Sequence, residues 1–163
     1  WSLDLRAAEG VFLPSSEVRA AANEIVDQLR AALCLTNEER DSLRCLLNGI
    51  ADIEERWGEL SVAEQKRTAT RGWFGDAISI IRIRDASVAE RVCAEVERLA
   101  ETASGLAPTP LITGDDLIAA GLRPGPAFGQ ALARVYDAQL EERVSTREGA
   151  MALARSILES END

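Results

Sequence analysis

Histidine is absent from the 163 residues. With it go Ser-His-Asp and Cys-His relays, a histidine general base and histidine-ligated zinc. Cysteine is scarce: Cys34, Cys45 and Cys93 stand far apart with no C-x-x-C pair, which excludes a disulfide framework or thiolate metal knot and predicts buried, reduced thiols. No apolar run approaches the ~18 residues of a membrane span, and no basic stretch followed by an apolar one opens the chain, so we expect a cytoplasmic protein. Aromatics make up only 4%. Basic charge is also in deficit, 18 Lys and Arg against 28 Asp and Glu for a net charge of −10; this favours solubility and argues against nonspecific binding to nucleic acid, DNA included, or to anionic membrane. The chain opens on Trp1 rather than Met, which leads us to expect a fragment of a longer protein.

What is present is enough to fold. At 46% hydrophobic and 28% charged the composition is that of a globular protein, and a chain of this mass can bury about 69% of its unfolded surface. Helix-start signals recur: Thr36/Glu39, Ser61/Glu64, Ser87/Glu90, Thr113/Asp116 and Ser145/Glu148 each place an acid three residues after a hydroxyl, the pattern of a capping box. Apolar residues then follow at helical spacing, among them Ile25, Leu29 and Leu33, then Leu43, Leu46, Leu47, Ile50 and Ile53, and later Val92, Leu99, Val135, Ala154 and Ile157. The run Ile78, Ile80, Ile81, Ile83 suits a strand equally well, but no partner strand is evident, so it too is predicted helical. The expectation is an all-α, multi-helix bundle of about seven or eight short helices. Gly105-Leu-Ala-Pro-Thr-Pro110 breaks it into a helical body, residues 1–105, and a helical tail, 106–163, with Gly105 expected to end a helix.

Two constellations carry possible chemistry. Between positions 66 and 84, Lys66, Arg67, Arg71, Arg82 and Arg84 face only Asp76, with Trp73 and Phe74 among them. Arginines interleaved with aromatics can hold phosphates and stack on bases; equally, their stems can cover an apolar face around a buried Trp73. In the tail, a short helix capped by Thr113 is expected to end at Gly121, and after Leu-Arg-Pro-Gly a longer helix starts near Pro126. Such a helix-hairpin-helix corner aims the positive end of a helix dipole and its free amides at one point, where a phosphate can sit beside Arg123. It can also be a plain glycine-proline corner between packed helices.

These residues carry a resemblance. Leu111-Ile-Thr-Gly-Asp-Asp-Leu-Ile-Ala-Ala-Gly-Leu-Arg-Pro-Gly-Pro126, with Tyr136-Asp-Ala-Gln-Leu-Glu-Glu-Arg-Val144 and Thr146-Arg-Glu148, closely resembles the C-terminal tail of bacterial tRNA CCA-adding enzymes and poly(A) polymerases. Leu33-Cys-Leu-Thr-Asn-Glu-Glu-Arg40 and the stretch from Lys66 to Asp85 are similar to that family's body helices. The resemblance implies a tRNA-gripping C-terminal part, holding the acceptor/T-arm for a head and neck that this chain does not contain. It assigns phosphate contact to Arg123, Pro124, Gly125 and Pro126, with Lys66, Arg67, Arg71, Arg82 and Arg84 as a second patch. In the family the head carries a Gly-Ser loop and an Asp-x-Asp pair for two Mg²⁺ ions, and a neck reads the incoming CTP or ATP; neither head motif occurs here, so this chain alone is expected to hold no cofactor and to be inactive. Some relatives carry a histidine-ligated phosphohydrolase module in the body; here Ser15 and Ser16 occupy that stretch, so that activity is expected to be absent. The competing expectation is a helical scaffold or protein-interaction module without RNA binding.

Overall fold

The computed structural model describes residues 24, 26–30, 32–122 and 125–160. Among them all regular structure is helical and there is no strand, as the apolar spacing predicts. After helical residues at 24, 26–30, 32 and 33 come α1 (Asn37–Arg56), a 3-10 turn (Trp57–Glu59), α2 (Val62–Ala69), α3 (Phe74–Arg84), α4 (Ala86–Ala100), α5 (Gly114–Ala119), α6 (Pro126–Leu140) and α7 (Arg147–Ser160). Contacts group the chain into two units that are discontinuous in sequence: residues 1–59 with 71–94, and residues 60–70 with 95–163.

The caps show how the sequence sets these boundaries. Thr36 and Ser61 form complete capping boxes: Glu39 N–H donates to Thr36 Oγ1 (3.2 Å) and Glu64 N–H to Ser61 Oγ (3.3 Å), while each glutamate accepts the cap residue's own N–H at 2.8 Å. Asp116 likewise accepts the Thr113 N–H at 2.7 Å. Each satisfies amides that the helix start would leave orphaned. Two expected caps are displaced. Before α4 the cap is Asp85, not Ser87, because its carboxylate reaches the Ser87 and Val88 amides at 2.9 and 3.3 Å. Before α7 it is Thr146, not Ser145, its hydroxyl accepting from Gly149 N–H at 3.2 Å. In both cases a neighbouring side-chain oxygen, a carboxylate at Asp85 and a hydroxyl at Thr146, lies three residues ahead of a free amide.

In the first unit α1 packs on α3. Ile50, Ala51 and Ile53 face Ala77, Ile78 and Ile81, all buried, with Trp57 beneath. The isoleucine run is therefore helical, split between a buried side and the exposed Ile80 and Ile83. Trp57 and Phe74 rings meet in a tilted pair, centroids 6.0 Å apart. At Gly49 the indole of Trp73 lies so close that a β-carbon would stand 2.3 Å from its ring, so glycine is there for close approach. The thiols depart from expectation: Cys34 and Cys45 are exposed and Cys93 is half-buried. Cys45 is exposed in the N-terminal half of α1, one turn before Gly49, and Cys34 follows the preceding helix in a left-handed conformation (φ 54°).

In the second unit α6 is central, touching α2, α5 and α7. Ala131, Val135, Ala150, Ala154, Ile157 and Leu158, with Ile112 and Leu117, form its core; the alanines let α6 and α7 approach closely. The proline-rich stretch is pinned by α6 side chains: Tyr136 Oη donates to Pro108 O (3.0 Å), and Gln139 donates to Thr109 O (2.8 Å) and accepts from Leu111 N–H (3.1 Å). Gly105, expected to end a helix, instead closes a turn at φ 61° after α4 has stopped at Ala100.

Candidate nucleic-acid interface

The tail hairpin forms as a corner of two helices. α5 ends in a Schellman motif: Gly121 N–H donates to Ile118 O (2.9 Å) and Leu122 N–H to Leu117 O (3.1 Å), with Gly121 at φ 84° in the left-handed region that only glycine enters without strain. α6 opens at Gly125 with Pro126 as its first residue. Gly125 is exposed and its φ is −169°, extended backbone open to any residue, and a β-carbon there meets nothing within 4 Å. A left-handed Gly125 at the turn is therefore not found; that conformation belongs to Gly121. Arg123 and Pro124 lie outside the described residues.

The first turn of α6 differs from those of α1, α2 and α5. No side chain caps it and no acid lies in it, whereas each of those three has a carboxylate engaged at its start. Along its outer side Gly129, Gln130, Ala133 and Arg134 are exposed, and from 117 to 136 the sequence contains no acid. This presents small, uncharged residues around a partial positive charge, the local conditions in which a phosphate can approach backbone. Arg147 on α7 pairs with Asp116, one of the two first-turn carboxylates of α5.

The five basic residues of the second constellation are placed differently from one another. Lys66 is fully buried. Its Nζ donates to Thr102 Oγ1 and Ser104 Oγ, both at 2.7 Å, and to Leu140 O at 2.9 Å, using all three donors of the ammonium. Lys66 is thus a fastener between α2, the turn after α4 and the C-terminus of α6, where a cation complements the helix dipole. Burial lowers its pKa, with the nearby Glu142 acting the other way. Arg67 is half-buried, its Nε 2.7 Å from Asp137 Oδ1 and its guanidinium 5.0 Å from the Tyr136 ring centroid. Arg84 pairs with Glu54 at 3.2 Å, both side chains largely covered. Arg71 and Arg82 are exposed, and Arg82 points a guanidinium nitrogen at Cys93 Sγ, 3.8 Å away. Lys66 and Arg67 belong to the second unit, Arg71, Arg82 and Arg84 to the first.

Sequence reading missed Glu142. It occupies the left-handed position (φ 60°) of a second Schellman turn, its N–H donating to Gln139 O at 3.1 Å and Arg143 N–H to Ala138 O at 2.9 Å. Its carboxylate accepts from the backbone N–H and the hydroxyl of Ser104 at 3.0 and 3.2 Å, and the first of these bonds is the main reason its pKa falls below the ordinary range. Nothing in the sequence marks a non-glycine residue as the one to turn left-handed; the only signal is that a helix must stop between Leu140 and Thr146.

Among the described residues no group of three His, Cys, Asp or Glu side chains could hold a metal ion, and no helix is long and apolar enough to cross a membrane. Comparison with protein-family models, with curated proteins and with solved structures gave no match.

Proposed function

We propose that this chain is an RNA-gripping C-terminal part of a protein of the CCA-adding enzyme and poly(A) polymerase class, and that its α5–α6 corner receives a phosphate of the tRNA acceptor/T-arm. The observation that carries the reading is the start of α6, uncapped and acid-free, with Gly125 and Gly129 exposed, at the position where the resemblance puts phosphate contact. Arg134 on the same helix, and Arg123 by its place in the sequence, supply cationic contacts; Arg71 and Arg82 are the members of the second constellation that remain open to solvent. Holding the 3′ end in place for a separate head is catalysis by positioning. Lys66 drops out of the binding set because its ammonium is already spent on three internal oxygens.

Gly125→Asp tests this with two readouts of opposite sign. Aspartate is a favoured N-cap, so the folded state should be as stable as the parent or more so. The same carboxylate would occupy the amides and repel phosphate, so affinity for a tRNA acceptor/T-arm minihelix should fall several-fold, and Arg134→Ala should lower the salt slope of binding by about 1. Undiminished minihelix affinity in a stable Gly125→Asp protein would overturn the assignment. A second reading, a helical scaffold without RNA binding, is favoured by the internal use of Lys66, Arg67 and Arg84; it expects no salt-dependent minihelix binding at all.

A further inference from the structure

A second surface, in the first unit, has nothing to do with the hairpin. Between the N-terminal half of α1 and the start of α3 runs a groove of about 810 Å³, with Leu43, Leu46 and Trp73 supplying apolar surface and Glu38, Asp41 and Asp76 supplying carboxylates. Among the described residues, those that line it include no basic side chain. Asp41 is held by Arg40 and Arg44 at 2.9 and 3.1 Å. Glu38 and Asp76 are exposed and have no ion pair among the described residues.

We propose that this groove docks a basic amphipathic helix of a partner protein. Three observations on the page converge. The α1 wall repeats at helical spacing, Glu38, Asp41 or Ser42, then Cys45 or Leu46, so its ridges are inclined to accept those of another helix over about 12 Å, two turns. On α3 the stripe continues at spacings of three and four through Trp73, Asp76, Ile80 and Ile83, and the two isoleucines are 37% and 86% exposed. A stripe of that period on a solvent side is what a third helix covers when apolar anchors enter at i, i+3 and i+7. The charged side chains that line the groove are carboxylates, with Asp76 lying within the α3 row between Trp73 and Ile80, so lysines or arginines beside the guest's apolar stripe would pair with Glu38 and Asp76 while its leucines meet the indole edge. The inference does not rest on the RNA reading.

The test uses the full chain and a short leucine–lysine amphipathic peptide as probe. Binding followed by anisotropy should come with a shift of the Trp73 indole N–H resonance, identified by its loss in Trp73→Phe. Neutralising the rim with Glu38→Gln and Asp76→Asn should weaken binding about tenfold. Neutralising the exposed Glu97 and Glu101 on or just after α4 changes net charge equally and should alter it less than about twofold. Equal losses in the two pairs, equal binding of a composition-matched peptide without an amphipathic stripe, or a silent Trp73 resonance would overturn the proposal. So would contacts in the free chain between the Trp73 indole and Phe12 or Leu13, which would give the groove to the chain's own N-terminal segment, or concentration-dependent dimerisation lost on Ile83→Glu, which would give it to a second copy.

Discussion

Each of the two units takes a basic residue from the same short stretch of sequence and turns it inward, but by different chemistry. In the first, Arg84 meets the carboxylate of Glu54. In the second, Lys66 meets two hydroxyls and a carbonyl, and its nearest carboxylate, Glu142, acts through Ser104 rather than by direct contact. A guanidinium is planar and weakly hydrated, which suits it to a covered carboxylate; an ammonium is a compact point charge whose three donors can be shared among separate neutral oxygens. The pair in the first unit therefore joins two helices, α1 and α3, whereas the Lys66 node joins α2, the turn at 101–105 and the end of α6. A basic run in sequence says how many cations there are, and the fold decides which are spent.

The sharpest way to break this contrast is to remove both centres in turn. Lys66→Ala leaves Leu140 O without its donor and a cavity among buried neighbours, and we expect a loss of about 3–5 kcal/mol by denaturant unfolding. Lys66→Met keeps the volume but leaves the same three oxygens without their donor, so it should cost less than Lys66→Ala by the cavity contribution alone. Equal costs for the two variants would mean that the ammonium itself, not the filled space, holds the node. Arg84→Ala should cost about 2–3 kcal/mol, and in a double-mutant cycle with Glu54→Ala the coupling should account for at least 1 kcal/mol of it.

A smaller effect isolates packing in the first unit from its ion pair. Gly49→Ala raises helix propensity by up to about 1 kcal/mol, yet its methyl would stand 2.3 Å from the Trp73 ring, and overpacking costs about 1–3 kcal/mol. The clash should win, for a net loss of about 1–2 kcal/mol. In a Trp73→Phe background, where the ring is smaller, the same Gly49→Ala change should become neutral or stabilising. Continued loss there would locate the constraint in the backbone instead.

The helical class was legible because its signals are local. Thr36, Ser61 and Thr113 cap where the spacing put them, and Ile50, Ile53, Val92, Leu99, Val135, Ala154 and Ile157 are buried as their period requires. Ser87 and Ser145 mislead because a second capping side chain, Asp85 or Thr146, stands close by, and sequence alone cannot choose between hydroxyl and carboxylate one or two positions apart. The site was half legible. Gly121 and Pro126 announce the corner through backbone chemistry that is intrinsic to those residues. The fate of Lys66 was not legible: its acceptors are 36, 38 and 74 positions away, and no local pattern reports contacts of that range. Cys45 was misjudged for a related reason, since the leucines around it define an apolar neighbourhood in sequence but not which side of α1 it occupies.

The finest discrimination between the units is their response to pH. Burial places the Lys66 pKa below its ordinary value in the folded state. Between the folded and unfolded pKa the unfolded chain binds more protons, so stability rises with pH through that alkaline window as the folded ammonium loses its unfavourable charge. Glu142 has the opposite position: its folded pKa is lowered, chiefly by the Ser104 N–H, so its contribution is present above the ordinary carboxylate range and fades as pH falls through the folded pKa. Stability of the parent minus that of Lys66→Met, followed across pH, should therefore climb on the alkaline side. The difference from Glu142→Gln should shrink on the acid side. An alkaline rise that survives Lys66→Met would assign the titration to another group and remove the second unit's distinguishing feature.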